Sequence, residues 1–225
     1  MCTMNCILFG TKNLYDDEIR NRRVLEVGSR DANGSLRPFI ESRRPEKYVG
    51  VDIAEGAGVD IICDAEKLLE RFQVESFDII ISTELLEHVR NWQKAISNIK
   101  GVCKPGGIIL VTTRSIGFKF HEHPHDFWRY ELSDIESIFS DCDIQALEKD
   151  WEKGVFVKAI KPANFKEKDL SEYALFSIVT GERTKQITDK DLRSCYFRKL
   201  RAKRKAKDLA FEILPRFIAS LLSEK

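Results

Sequence analysis

The chain has almost no net charge: 37 basic residues against 36 acidic ones leave a formal +1 over 225 residues. A balance this close supplies no global field toward nucleic acid or an anionic membrane. No apolar run is long enough to span a bilayer, and the opening Met-Cys-Thr-Met-Asn-Cys has no basic lead-in to an apolar signal core. The six cysteines, at 2, 6, 63, 103, 142 and 195, form no Cys-x-x-Cys pair. Without a secretion signal this spacing reads as reduced thiols rather than a disulfide frame, and a cytoplasmic protein is expected. There is no internal repeat and no low-complexity linker. What remains is 43% apolar content, enough for one sizeable core and an appendage.

Two phosphate-binding devices are also missing. After Val24-Leu25-Glu26-Val27-Gly28 come Ser29, Arg30 and Asp31, so the Gly-x-Gly-x-x-Gly of a dinucleotide site is not completed. Gly34 is followed by Ser35 and Leu36 rather than the Lys-Ser/Thr pair of a P-loop. An apolar strand that stops at a glycine still presents bare backbone to a nucleotide-like ligand at its carboxyl end. A second apolar strand ends on Asp52, whose carboxylate can accept both hydroxyls of a ribose. Glu26 and Asp31 flank the first turn, and acids suit a cationic adenosine derivative better than a pyrophosphate. S-adenosyl-L-methionine carries an ammonium and a sulfonium.

Strands and helices alternate through the first two-thirds of the chain, which predicts a mostly parallel sheet covered on both faces. Strands are predicted at 23–27, 48–52, 59–63, 77–82, 108–112, 144–148 and 155–160, seven in all. Helices are predicted at 35–42, 66–72, 91–100 and 132–139, the last with Ser133 as N-cap and Glu136 completing a capping box. Three segments follow: a leader at 1–21, the α/β domain at 22–162 and a helical extension at 163–225. In the extension Leu192, Tyr196 and Leu200 share one helical stripe, and Leu209, Ile213, Phe217 and Leu221 continue it. Pro215 should kink or split that helix. Eight basic residues and no acid lie between Arg193 and Lys207. The extension can pack on the domain or a second subunit; its basic collar with Phe217, Ile218 and Leu222 also suits a peripheral membrane contact, and nucleic acid stays open.

Three of the four histidines fall in His121-Glu122-His123-Pro124-His125, which continues Asp126-Phe127-Trp128-Arg129-Tyr130 on the loop after the fifth strand. A loop this long and aromatic inside a compact domain is usually functional. His121, His123, Phe127, Trp128, Arg129 and Tyr130 are therefore expected at a substrate, with Arg129 favouring an anionic or sugar-like one. His125 and His88 are the candidate general bases, with Asp126 able to orient an imidazole. Glu84, Glu87 and His88, with His125 from the loop, make an oxygen/nitrogen set suited to a divalent ion.

With these residues in place, the chain resembles the class I S-adenosylmethionine-dependent methyltransferases, most closely the broad type-11/type-12 group, over residues 22–162. Glu26-Val27-Gly28-Ser29 looks like the cofactor-loop motif, Val51-Asp52 like the ribose-binding acid and Cys63-Asp64-Ala65 like the adenine-side acid. The run from Phe77 through Thr83-Glu84-Leu85-Leu86-Glu87-His88-Val89 looks like the fourth-strand motif, and Lys104-Pro105-Gly106-Gly107 like the turn before strand five. The departure is Arg30, where members carry a glycine. The resemblance implies a Rossmann-like α/β fold with seven strands, the last antiparallel. It implies a cofactor site from Glu26, Gly28, Ser29, Gly34, Ser35, Asp52, Ile53, Asp64, Ala65, Thr83 and Glu84, and methyl transfer to O or N of a small-molecule or sugar-like acceptor. A metal-assisted RNA 2′-O-methyltransferase, a nucleotide-linked enzyme and a non-catalytic cofactor-binding protein are the alternatives.

Overall fold

The computed structural model describes residues 2–122 and 124–223, and for 210–223 the backbone alone. In chain order the strands are β1 Arg23–Val27, β2 Lys47–Asp52, β3 Ile61–Ile62, β4 Phe77–Thr83, β5 Cys103–Arg114, β6 Trp128–Arg129, β7 Asp143–Asp150, β8 Gly154–Ile160, β9 Leu175–Ser177 and β10 Arg183–Thr184. Seven of them form one sheet in the order β3-β2-β1-β4-β5-β8-β7. The five strands from β3 to β5 are parallel, and β8 runs antiparallel to both β5 and β7. This is the Rossmann-like sheet that the sequence implied, with the seventh strand reversed.

Alternation along the central strands builds two apolar layers, because successive side chains leave a strand on opposite faces. Leu25, Val27, Ile80, Ile109 and Val111 enter one layer, and Val24, Ile79, Ile81, Ile108 and Leu110 the other. The second layer is closed by α1 (Met4–Asn13), α2 (Asp16–Ile19) and α3 (Arg37–Glu41), through Cys6, Phe9, Ile19 and Ile40. The first is closed by α4 (Leu68–Arg71), α5 (Trp92–Val102) and α6 (Leu132–Ile138), through Leu68, Trp92, Ile96, Ile99 and Ile135.

The expected three-part division does not describe the packing. The leader is helical and closes one core layer, while Leu170, Leu175, Val179, Ile187 and Phe197 of the extension belong to the other. The extension also supplies strands: β10, β9 and β6 form a small sheet, with Trp128 opposite Ser177 and Arg129 opposite Phe176. The histidine loop is thereby tied down at its far end.

Other expectations are corrected locally. Helix α6 is preceded by Glu131, whose backbone N–H donates to Asp134 at 2.9 Å, so the box sits two residues earlier than the Ser133–Glu136 pair. After α7 (Asp189–Leu192), α8 (Cys195–Ser223) runs through Pro215 without splitting; the lost backbone hydrogen bond is a single one, and intact turns flank it. Phe197 is the buried anchor of α8, whereas Tyr196 is 52% exposed. The side chains of Ile213, Phe217, Ile218, Leu221 and Leu222 lie outside the described residues. No helix among the described residues is long and apolar enough to cross a membrane.

Candidate active site

A cleft of about 760 Å³ opens at the carboxyl ends of the parallel strands, where open α/β sheets bind their ligands. Gly28 leaves β1 with φ +81, a left-handed conformation that costs a side-chain residue energy, and its N–H donates to Val51 O at 2.9 Å. Asp52 leaves β2 into the same space; Oδ1 accepts from Ala54 N at 3.1 Å and Oδ2 from Arg30 N at 3.3 Å. Each oxygen keeps a second lone pair for a ligand hydroxyl. Asp64, after β3, caps the following turn through Glu66 N at 2.9 Å and also lines the cleft. The strand-to-turn approach is close: a Cβ on Gly50 would lie 2.2 Å from Gly58 O.

Of the expected cofactor residues, Gly28, Asp52, Ile53, Asp64, Ala65 and Glu84 line this cleft, and Glu26, Ser29, Gly34, Ser35 and Thr83 are absent from its wall. Helix α1 packs over the ends of β4 and β5. The thiol of Cys6 lies 3.6 Å from Glu84 Oε1 and takes the Thr112 hydroxyl at 3.3 Å. A Cβ on Gly34 would touch Ile7 at 3.1 Å, and the Ser35 hydroxyl accepts from Arg37 N at 3.0 Å. Ser29 and Thr83 are both 2% exposed. Arg30, the departure from the motif, lines the cleft with its side chain lying along Gly56.

Glu26 is enclosed behind the cleft, where it accepts the Tyr48 hydroxyl at 2.6 Å. Burial pushes its carboxyl up from 4.5 to about 7, against the opposing effect of that hydrogen bond. A carboxyl raised on folding favours the folded state while it holds its proton, so this contribution is complete below pH 4.5 and lost as pH rises through about 7. Glu26→Gln should therefore be more stable than the parent at pH 8, by at most about 3 kcal/mol, with the gap closing toward pH 4. Urea denaturation at both pH values measures the difference.

On the acceptor side, His88, His125 and Phe127 line the cleft together with Glu122, Pro124, Leu85 and Val89. Trp128, Arg129 and Tyr130, expected at the substrate, are instead fully buried. The Trp128 indole donates to Val89 O at 3.0 Å and the Tyr130 hydroxyl to Leu86 O at 3.2 Å. The Arg129 guanidinium makes a two-pronged pair with Asp126, at 2.5 and 2.7 Å. Asp126 consequently orients His121 rather than His125, accepting from His121 Nδ1 at 3.0 Å. Although burial opposes it, the hydrogen bonds from Arg129 and His121 hold the Asp126 carboxyl at about 2. His121 is itself buried, and His123 lies outside the described residues.

The four candidate metal ligands are not brought together as a set. Glu84, in the left-handed region at φ +53, is drawn into a buried ion pair with Arg114; burial and the nearby Glu87 carboxylate push its carboxyl upward. His125 is exposed on the cleft. Glu87 and His88 instead meet His121, with one ligand atom from each lying within 4.8 Å of the others. His88 Nδ1 donates to the His125 carbonyl, and burial lowers the affinity of the ring for a second proton.

Several wall residues had no sequence signal. Leu192 comes from the extension, and Arg90 is held in place by Ile187 O at 2.6 Å and Asp189 at 2.8 Å. Helix α8 begins by covering the histidine loop: Arg201 pairs with Glu122 at 2.7 Å and Arg204 donates to Phe120 O at 3.0 Å.

Residues 9–153, well over half of the chain, match the family described as a methyltransferase domain. The chain belongs to the class I S-adenosylmethionine-dependent methyltransferases. A ubiquinone biosynthesis O-methyltransferase of Idiomarina loihiensis is 28% identical, with 49% of each chain covered. The chain thus spans about half the length of the curated relatives it matches. Among solved structures, a Burkholderia thailandensis 1,6-didemethyltoxoflavin-N1-methyltransferase with bound S-adenosylhomocysteine superposes with a TM-score of 0.54 at 11% identity, over 70% of this chain and 78% of the other. The [4+2]-cyclase SpnF gives 0.54 at 17% identity, over 70% and 80%. At these identities a methyltransferase and a cyclase share the fold alone, so the chemistry of this methyltransferase has to be argued from its own cleft.

Proposed function

We propose that this chain moves a methyl group from S-adenosylmethionine to an oxygen of a small-molecule acceptor. The observation that carries this is one cleft whose wall brings Gly28, Asp52 and Asp64, from successive strand ends, together with His125 and Phe127. The donor set fits an adenosyl cation: five carboxylates, Asp52, Asp64, Glu66, Glu84 and Glu122, line the wall against two cations, Arg30 and Arg90. The cleft volume, about 760 Å³, lies within the range for a cofactor plus a small acceptor.

When bound, S-adenosylmethionine would supply an electrophilic methyl carbon with a neutral thioether as its leaving group. The chain's residues do the rest. Asp52 accepts the ribose hydroxyls, Asp64 takes the adenine edge, and the Gly28 turn lets backbone approach the methionine end. Phe127, Leu85 and Val89 exclude water and confine the acceptor, and alignment of this kind is the main source of rate in a displacement. The acceptor oxygen forms its bond to the methyl carbon as its own proton passes to His125, the exposed base on the wall. Oxygen is favoured over nitrogen by that base and by the O-methyltransferase activity of the ubiquinone biosynthesis relatives. The cleft holds a single small acceptor more readily than an RNA end.

Asp52→Ala should weaken S-adenosylmethionine binding about 10–100-fold, the loss of one or two hydrogen bonds to a charged acceptor. Titration calorimetry with S-adenosylmethionine and with NAD tests the site; NAD binding without S-adenosylmethionine binding would overturn it. Release of S-adenosylhomocysteine from phenolic, sugar and nucleoside acceptors, with labelled methyl donor, tests the reaction. Tight donor binding with no release from any acceptor pool would make the chain a binding protein instead.

A further inference from the structure

We infer that Glu87, His88 and His121 form a site for one divalent cation of the Zn²⁺ or Mn²⁺ type, joining the turn after β4 to the histidine loop. Their ligand atoms already lie within 4.8 Å of one another, with His88 Nε2 and Glu87 Oε1 at 3.9 Å. A tetrahedral ion with bonds near 2.0–2.1 Å needs its ligand atoms about 3.3 Å apart, so binding would draw the three side chains closer together.

The second observation is that this cluster is underfilled. Glu87 is fully buried, yet among the described residues Oε1 has no hydrogen-bond partner, and neither has the enclosed Nε2 of His88. A buried carboxylate oxygen facing no donor costs several kcal/mol unless something positive meets it. The nearby cations are committed elsewhere: Arg129 to Asp126 and Arg114 to Glu84.

The surrounding hydrogen bonds are those that prepare metal ligands. His88 donates from Nδ1 to the His125 carbonyl, which leaves the Nε2 lone pair facing Glu87. His121 Nδ1 engages Asp126 at 3.0 Å, the carboxylate–histidine arrangement that fixes ring orientation and raises ligand basicity. Glu87 Oε2 takes the Thr113 hydroxyl at 2.9 Å, which turns Oε1 to the cluster. Two imidazoles and one carboxylate select a borderline transition ion over Mg²⁺ or Ca²⁺, and three protein ligands leave one position for water or substrate oxygen.

The ion would complete a junction that the backbone has begun. Phe127 N already donates to Glu87 O at 2.8 Å, and the Trp128 indole to Val89 O. Because His88 holds the His125 carbonyl, an ion on His88 fixes the backbone that carries the proposed base. Its role toward His125 is one of positioning.

The test uses the full chain with Cys195→Ser, which removes the exposed thiol as a competing zinc ligand. After chelation and desalting, ZnCl₂ or MnCl₂ alone is titrated in by calorimetry, with thermal melts in parallel and neither donor nor acceptor present. One ion per chain is expected, with Tm rising by about 5–10 °C at a hundredfold excess over Kd. Glu87→Gln and His121→Asn should each weaken binding more than tenfold, with His88→Gln as a third variant should either fail to fold by circular dichroism. His125→Ala should bind the ion as the parent does. Absence of binding in the parent, or unchanged binding in folded Glu87→Gln and His121→Asn, overturns the site. Since methyl transfer is not the readout, failure here leaves the proposed reaction standing, and failure of the reaction leaves the site standing.

Discussion

Arg129→Met is expected to lower the unfolding free energy by about 3–5 kcal/mol, the cost of stranding one member of a buried ion pair. Arg129 and Asp126 are both wholly buried, and the guanidinium also donates to Trp128 O at 2.7 Å and Lys119 O at 3.2 Å. Removing it leaves the Asp126 carboxylate with His121 alone among the described side chains, and takes a donor from the Phe118, Lys119 and Trp128 carbonyls. The pH dependence has a definite sign. Asp126 is depressed from 3.8 to about 2, so the pair's contribution is present above pH 3.8 and lost as pH falls through about 2. Urea melts of parent and variant between pH 2 and pH 7 measure both effects. A loss below about 1 kcal/mol at pH 7 would show that the pair is not structural, and would restore Arg129 as a candidate for substrate contact.

The second large effect is on turnover. His125→Ala should lower kcat about 100-fold or more while changing the affinity for S-adenosylmethionine little, because in the proposed roles His125 acts on the acceptor while Asp52 and Asp64 hold the donor. A residue that only packed the loop would instead change KM and thermal stability along with kcat. Steady-state kinetics over pH 5–9 with the best acceptor decides this. An unchanged kcat would remove His125 as the base and shift attention to desolvation and alignment as the sources of rate.

The two expected results concern residues three and four places apart in one loop, and they illustrate where sequence reasoning succeeds and where it stops. His125 to Tyr130 is a dense run of polar and aromatic groups, and its composition alone marks it as a loop with a task. Composition could not divide the run. The pairing of β6 with β9 turns Trp128 to Tyr130 inward, and that pairing joins residues almost fifty positions apart. A two-pronged Arg–Asp contact looks the same in a list of residue types whether it binds a substrate or holds a loop.

The same distinction governs the cofactor side. Gly28, Asp52 and Asp64 were legible because strand periodicity is local, and a parallel sheet brings all its strand ends to one edge. Glu26, Gly34 and Ser35 belong to the same motif by spacing, yet Glu26 is buried against Tyr48, Gly34 meets Ile7 of the leader and Ser35 turns to Arg37. Nothing in the spacing of Cys2, Cys6 and Ile7 indicated that they would cover the first turn, since their partners Glu84, Thr112 and Gly34 come from three later segments. The candidate ion ligands follow this pattern too. Glu87-His88 was visible as a pair, but its third member was settled by which histidine the Asp126–Arg129 pair holds inward.

By itself, then, the sequence determined the order of strands and helices, the sheet edge at which the cleft opens and the acids that line it, because alternation and turn chemistry act over a few residues. Tertiary structure decided which polar side chains face the cleft and which are spent on holding its walls. That choice depends on burial between segments far apart in the chain, where the cost of an unpaired charge, rather than any local preference, selects the partner.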